Sequence, residues 1–589
     1  MDAVVWWLGR LGGPYAAAEI ALAGLVVMIA LVRPQTGAAA AQWIEHRFAG
    51  LAHNPVRQIL AVGALAVLAR AVMLPWLGAP VPSIHDEQSL LVQAHTFVGG
   101  RLANPMHPLR EHFETFYVNQ VPAYASMYFP GRGAPLALGL LIADNAWVGV
   151  WISFVLMAMA AVWMLQGWVS LPLALLGGVI VVARFGVFSY WVNSYLGGAF
   201  AAFGAMLVLG ALPRLLADPR WLHGVLMGLG AAILMNTRPY EGALLCLPVS
   251  AALLGALLRS GWARHGTALV RSAVPVAIFV AAGGALLLAY NAATTGHALK
   301  TPYDLNRQTY ASAPAFLISP PIQSEQRGPE YFRRFYAAEA EPHTRRLSIS
   351  GNIFSAAGKF FHTWSFYIGA TFTLAFLAGL WASRKEGFLL GGLAFFIAGY
   401  LLETWNYPQY VAPAFPLLLI LLMRGLGWLR TISVQGRPVG LFLSRAATAS
   451  AVLLLLVPVS LLAFNIHSLQ SSVNTLVCCS ITDKNFRTKL LQQLATTPGR
   501  HLVLVKDGPM NPLHFELVYN EADIDDAPIV WARRLSPAQD ERLLAHFSDR
   551  IVWEFEWLPE GDPGYRFERI HEPAAGKPGA PGSSTSSIR

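Results

Sequence analysis

The chain has 589 residues, 55% apolar and only 13% charged, with a net charge of +9 and a mean hydropathy of +0.47. Such a composition excludes a soluble globular protein. The basic residues are dispersed instead of clustered on one soluble module, so the charge does not point to nucleic acid either.

Repeated 16- to 22-residue apolar runs predict a polytopic membrane protein. The first run, Tyr15–Val32, has no basic stretch before it and no small-residue cleavage site after it, so it reads as a retained helix. Spans are expected near 15–32, 58–77, 146–165, 170–188, 196–216, 221–236, 242–258, 272–290, 361–381, 387–402, 409–427 and 444–465. Ala134–Ala143 is too short to cross and reads as an interfacial or re-entrant helix. With about twelve spans, Arg33, Arg47, Arg57, Arg214, Arg220, Arg259, Arg264, Arg271, Arg384, Lys385, Arg430 and Arg437 all fall on one face. The excess of arginine makes that face cytoplasmic.

The elaborate polar segments then lie on the opposite, extracytoplasmic side. They are the loop 78–133, the Tyr190–Tyr195 and Arg238–Glu241 turns, the loop 291–360, the Glu403–Tyr410 turn and the tail. This one-sidedness suits an active surface facing the periplasm or cell exterior. A transporter or flippase, the alternative, would more often bury polar groups in broken helices and show internal repeats, and no repeat relates the two halves. A third option is a scaffold whose tail binds a partner. Residues 1–57 form an N-terminal helix and cytoplasmic loop, and 58–465 the membrane domain. The tail 466–572 is different material, with 16 of the 33 acidic residues. His501–Lys506, Ile529–Arg533, Ile551–Trp557 and Tyr565–Ile570 read as strands, and Ser536 opens a capped helix reaching about Phe547. A small extracytoplasmic α/β domain follows from these elements. Residues 573–589 are rich in Gly, Pro and Ser and read as disordered. The three cysteines, Cys246, Cys478 and Cys479, have neither disulfide nor metal spacing.

Carboxylates are scarce in this chain, and Asp86-Glu87 stand together shortly after the second span. A pair of charges so near a bilayer is costly unless solvated or functional. The plain reading is that they open a helix from Asp86 to about Phe97, where acids suit the first turn. The chemical reading makes one of them a base. Four histidines, 85, 95, 107 and 112, share the loop with Glu111 and Glu114, but no H-x-x-H or H-E-x-x-H pattern occurs. Most read as solvated loop residues, and His85 with Asp86 is the pair left open for a divalent metal; no cofactor is otherwise called for. Tyr117, Tyr124, Tyr128, Tyr190, Trp191, Tyr195, Trp405, Tyr407 and Tyr410 suit an interfacial aromatic belt or stacking against a sugar. No Walker A, dinucleotide fingerprint or nucleophile elbow occurs, so a nucleotide-sugar donor is not indicated.

A span, an Asp-Glu doublet, an amphipathic helix and the turn Gly99-Gly-Arg-Leu102 together resemble the first external loop of the GT-C glycosyltransferases. That superfamily includes the protein O-mannosyltransferases and the lipid A aminoarabinose transferases. Tyr190-Trp-Val-Asn-Ser-Tyr195, Arg238-Pro-Tyr-Glu-Gly242 and Tyr407-Pro-Gln-Tyr410 follow in order, so the likeness covers roughly 58–430. It implies a GT-C-like membrane domain carrying an inverting transfer of a hexosyl or pentosyl unit from a polyprenyl-phosphate donor to an extracytoplasmic acceptor. It further implies Asp86 as base, tuned by Glu87, in a bacterial inner membrane. A phosphate partner must be cationic and on the outer face: Arg238 first, then Lys300, then Arg184 near the outer end of its helix. Arg132 and Arg101 are less specific. Glu241 is the natural ion-pair partner of Arg238, and Tyr190, Tyr195, Tyr407 and Tyr410 complete the expected substrate surface. Deleting 470–589 is expected to leave a transferase its chemistry while removing its acceptor choice.

Overall fold

The computed structural model describes residues 13–260, 262–463, 486–508, 516–558 and 564–571. Among these, nine helices are long and apolar enough to cross a membrane, from Tyr15–Val32 to Val439–Ser460. Three shorter apolar helices, Leu171–Phe185, Trp221–Thr237 and Gly387–Leu402, occupy the remaining expected span positions. The predicted helix ends have local causes. Asn54 accepts from the Arg57 amide and Pro55 takes the first helical position of the second span.

Small residues let the helices approach closely. A Cβ on Gly425 would run into the Ala375 carbonyl, and one on Gly379 into that of Leu421. This fixes the crossing of Gly369–Ala382 over Phe415–Leu429. The predicted interfacial piece is a 14-residue helix, Pro130–Ala143, about 21 Å long and so shorter than a bilayer core. It folds back on Ala146–Leu165, where a Cβ on Gly149 would strike the Pro135 carbonyl. At one end of the bundle Glu45 gathers Arg430 (2.6 Å) and Arg445 (2.5 Å), so loops of the arginine-bearing set do share one end.

At the other end lie three polar modules. The first loop carries the helix His85–Val98 and a three-stranded antiparallel sheet of β1 (Asn104–Pro105), β2 (Val118–Asn119) and β3 (Ala123–Ser126), ordered β1-β3-β2. The second carries the helices Pro302–Tyr310 and Glu330–Arg346. The third is the C-terminal unit. Its strands are β4 (His501–Lys506), β5 (Ile529–Arg533), β6 (Ile551–Trp557) and β7 (Tyr565–His571), in the order β5-β4-β6-β7. β4 runs parallel to β5 and β6, whereas β7 is antiparallel. The helix Pro537–His546 opens with the expected capping box at Ser536. Cys478, Cys479 and the tail 573–589 lie outside the described residues.

The C-terminal unit shares a core with the first loop. Val92, Phe113, Val118 and Tyr124 pack in one buried cluster with Leu502, Leu504, Val530, Leu543 and Phe547. Backbone bonds seal the contact: Arg533 Nε donates to the Glu114 carbonyl at 2.7 Å, and His112 Nδ1 meets the Arg533 carbonyl at 2.8 Å.

Candidate active site

The helix His85–Val98 is oriented by a polar stripe at Ser89, Gln93 and Thr96, three to four residues apart and hence on one face. Ser89 donates to the Tyr117 carbonyl at 2.7 Å, Gln93 to the Tyr128 carbonyl at 2.8 Å, and Thr96 receives Asn104 at 2.7 Å. The doublet at its start divides its labour. Glu87 is 2% exposed and its carboxylate accepts from the Ser83 amide (2.8 Å), the Ile84 amide (3.3 Å) and the Tyr195 amide (2.9 Å). Burial pushes its carboxyl pKa up, against the pull of those donors. It thus ties the first loop to the 190–195 turn. Asp86 faces the other way and stays half-buried; Oδ1 accepts a short hydrogen bond from the Tyr128 hydroxyl. No donor meets Oδ2 among the described residues.

Two guanidiniums lie in this region, Arg132 feeling the charges of both Asp86 and Arg238. Arg132, in the first turn of Pro130–Ala143, lies 4.1 Å over the Tyr128 ring and donates to the Leu196 carbonyl at 3.0 Å. Arg238 lies 4.3 Å over Tyr410 and pairs with Glu241 at 3.2 Å. Partial burial and the neighbouring Arg238 hold the Arg132 guanidinium below its ordinary range. Two cations this close, with one carboxylate partner between them, suit an anion. Tyr407 and Tyr410 stack at 6.3 Å, and Tyr407 keeps 39% of its surface exposed.

The floor of the site comes from residues that the motifs did not flag. Arg307 pairs with Glu339 at 2.7 Å and lies 5.3 Å from the Trp405 ring, while Tyr117 donates to Glu339 at 3.5 Å. Burial raises the Glu339 pKa and Arg307 opposes it. The 400–404 turn that leads to Tyr407 is clamped by cations from the second loop: Lys359 Nζ donates to the Tyr400 (2.7 Å) and Glu403 (2.6 Å) carbonyls, and Arg346 also donates to Glu403.

Other expected site residues sit elsewhere. Arg184 is buried on Glu19 (3.0 Å) and on the carbonyls of Ser365 (2.7 Å) and Phe366 (2.9 Å), so its charge is neutralised inside the bundle. Arg184→Ala should therefore destabilise the protein by about 3–5 kcal/mol, leaving Glu19 buried and unpaired. Pairing it with Glu19→Gln should recover much of that loss in a thermal melt in detergent. Tyr190 donates to Gln409 at 2.9 Å in the core, and Tyr195 to the Pro80 carbonyl at 2.9 Å. Both support the site without facing Asp86. Lys300 has no side-chain ion pair among the described residues.

His85 is 5% exposed, with its ring 4.4 Å from Phe116 and 5.4 Å from Phe335. No third potential ligand joins it and Asp86 in a metal-capable group among the described residues; such a group is His107, Asp525 and His546, between the first loop and the C-terminal unit. The Leu109 amide donates to His107 Nδ1 at 3.0 Å, which leaves the ring proton on Nε2, facing Asp525 at 3.2 Å. His546 meets the same oxygen at 2.8 Å. That is the pattern of a hydrogen-bonded carboxylate, and these residues do not fit a metal as they stand. Burial lowers the His107 pKa; that of Asp525 is lowered too, its two histidines outweighing burial. Both shifts mean the unfolded chain takes up protons first on acidification. The contact should thus weaken as pH falls below about 6.5, measurable as faster proteolysis of the C-terminal unit.

No family model and no curated protein matches the chain. Among solved structures it is similar to ArnT from Cupriavidus metallidurans bound to undecaprenyl phosphate, at 13% identity and a TM-score of 0.42, covering 85% of this chain and 93% of that one. It is similar also to the Archaeoglobus fulgidus oligosaccharyltransferase in complex with Zn and sulfate, at 10% identity and a TM-score of 0.42. That match covers 76% of this chain but only 60% of the archaeal one. A complex of AglB from the same archaeon with an inhibitory peptide and a dolichol-phosphate gives 11% identity and a TM-score of 0.38, covering 76% and 62%.

Proposed function

We propose that the chain is an inverting membrane glycosyltransferase that moves a hexosyl or pentosyl unit from a polyprenyl-phosphate donor to an acceptor hydroxyl outside the cytoplasm. The observation that carries this reading is the convergence of Asp86, half-exposed and held by Tyr128, with Arg132 and Arg238. An acceptor hydroxyl approaching Asp86 would give up its proton to the carboxylate as its oxygen bonds to the anomeric carbon. The bond from that carbon to the phosphate oxygen breaks, and the electron pair leaves on the lipid phosphate. A phosphate leaving group needs little protonation but gains charge, which is what paired arginines stabilise. Tyr407 and Tyr410 would stack on the sugar. Glu87 acts as a positioning residue through the Ser83, Ile84 and Tyr195 amides. A bacterial inner membrane with the three polar modules outside is the setting that fits the arginine distribution.

The direct test incubates purified protein with a panel of polyprenyl-phosphate sugars and follows donor consumption with and without chelator. Consumption of none of the panel, by protein that is folded, rejects the reading. Arg132→Ala and Arg238→Ala should each weaken undecaprenyl phosphate binding by about 10- to 100-fold, about 1.5–3 kcal/mol for a charged hydrogen bond.

A further inference from the structure

One side chain touches both halves of the proposed reaction. The Tyr128 ring carries Arg132 on its face at 4.1 Å, and its hydroxyl donates to Asp86. Its backbone is fixed independently: the Tyr128 carbonyl accepts from Gln93 (2.8 Å) and Tyr290 (3.0 Å), and its amide donates to Ser126 Oγ (3.2 Å). Ser126 is joined in turn to Ser89 at 2.8 Å, on the helix that bears Asp86. The ring also meets Tyr117 edge-on at 6.2 Å. The hydroxyl is therefore the single adjustable contact between a rigid phenol and the carboxylate. The guanidinium on the ring is the group a phosphate would draw on.

We propose that Tyr128 is a positioning residue that couples donor binding to the base: a phosphate engaging Arg132 holds the guanidinium on the Tyr128 ring, and the hydroxyl then fixes Asp86 against the acceptor. This rests on the reading of Asp86 and Arg132 given above. Arg132 has no carboxylate partner among the described residues, whereas Arg238 has Glu241. Arg132 is thus the cation left to pair with an incoming anion.

Tyr128→Phe keeps the ring and the backbone bonds and removes only the hydroxyl. Its kcat should fall about 100-fold, as expected for a misplaced reacting group, with donor KM and undecaprenyl phosphate affinity within about 2-fold of the parent. Arg132→Ala should instead lose lipid affinity. A variant that loses kcat and lipid binding together, or that keeps parental kcat, overturns the coupling. A second readout needs no turnover: carbodiimide labelling of Asp86, followed by peptide mass spectrometry, with and without undecaprenyl phosphate. The lipid should slow labelling in the parent and leave the rate in Tyr128→Phe unchanged. Equal labelling of parent and variant under both conditions overturns the coupling even where the donor is found; failure of the parent to bind the lipid overturns the donor reading itself.

Discussion

Asp86→Asn should lower transfer by about 10²- to 10⁴-fold while the protein stays folded and inserted. Asparagine matches the shape of aspartate, and its amide oxygen can still accept from the Tyr128 hydroxyl that holds Asp86 now. It cannot take up the acceptor proton. The loss should therefore fall on kcat, with lipid binding at Arg132 and Arg238 preserved. Glu87→Gln makes the contrast. Its amide NH2 would replace one oxygen and so face either the Tyr195 amide or those of Ser83 and Ile84, costing about 1–3 kcal/mol for each buried donor left unpaired. That variant should lose thermal stability first and activity with it. Initial rates and melts on the two variants separate the roles, and full activity of Asp86→Asn would remove Asp86 from the reaction.

The sequence patterns were legible where the signal is local. Twelve apolar runs have helices at their positions, and the four strands of the C-terminal unit begin where alternation placed them. The partners of charged residues were not legible, because they come from distant segments. Arg184 invited a functional reading as an intramembrane charge, yet its counterion is Glu19, 165 residues earlier in an otherwise apolar run. That lone acid was the available signal. Arg132 lies in Gly-Arg-Gly-Ala-Pro, which has no periodicity to mark it. Arg307 and Glu339 meet across a 32-residue gap, and neither belongs to any motif. The polar stripe Ser89, Gln93 and Thr96 lies at helical spacing beside the apolar one, so its direction is legible but its partners are not.

Removing residues 486–571 should abolish transfer and loosen the first loop, in place of leaving the chemistry intact with altered acceptor choice. The reason lies in the packing. Val92 sits on the Asp86 helix itself, Val118 and Tyr124 on the sheet behind it, and Phe113 at the end of the short 3-10 helix Arg110–Phe113; all four are buried against Leu502, Leu504, Val530, Leu543 and Phe547. Without the C-terminal unit this apolar surface faces water, at about 1.5–3 kcal/mol for each large side chain. The deletion also leaves the Glu114 and Phe116 carbonyls without Arg533 (2.7 Å) and Tyr519 (3.2 Å). Phe116 in turn packs on His85 at 4.4 Å, one residue from Asp86. The first loop is therefore anchored from behind by a distant unit, Arg533 lying 419 residues beyond the Glu114 carbonyl it holds. Phe113→Ala tests the same contact within the full chain, with an expected loss of about 3–5 kcal/mol. Limited proteolysis of residues 78–133 should speed up in both variants, in step with falling transfer. A truncated protein that keeps parental kcat on any donor would mean that the first loop holds its shape alone, and that the shared core serves acceptor contact only.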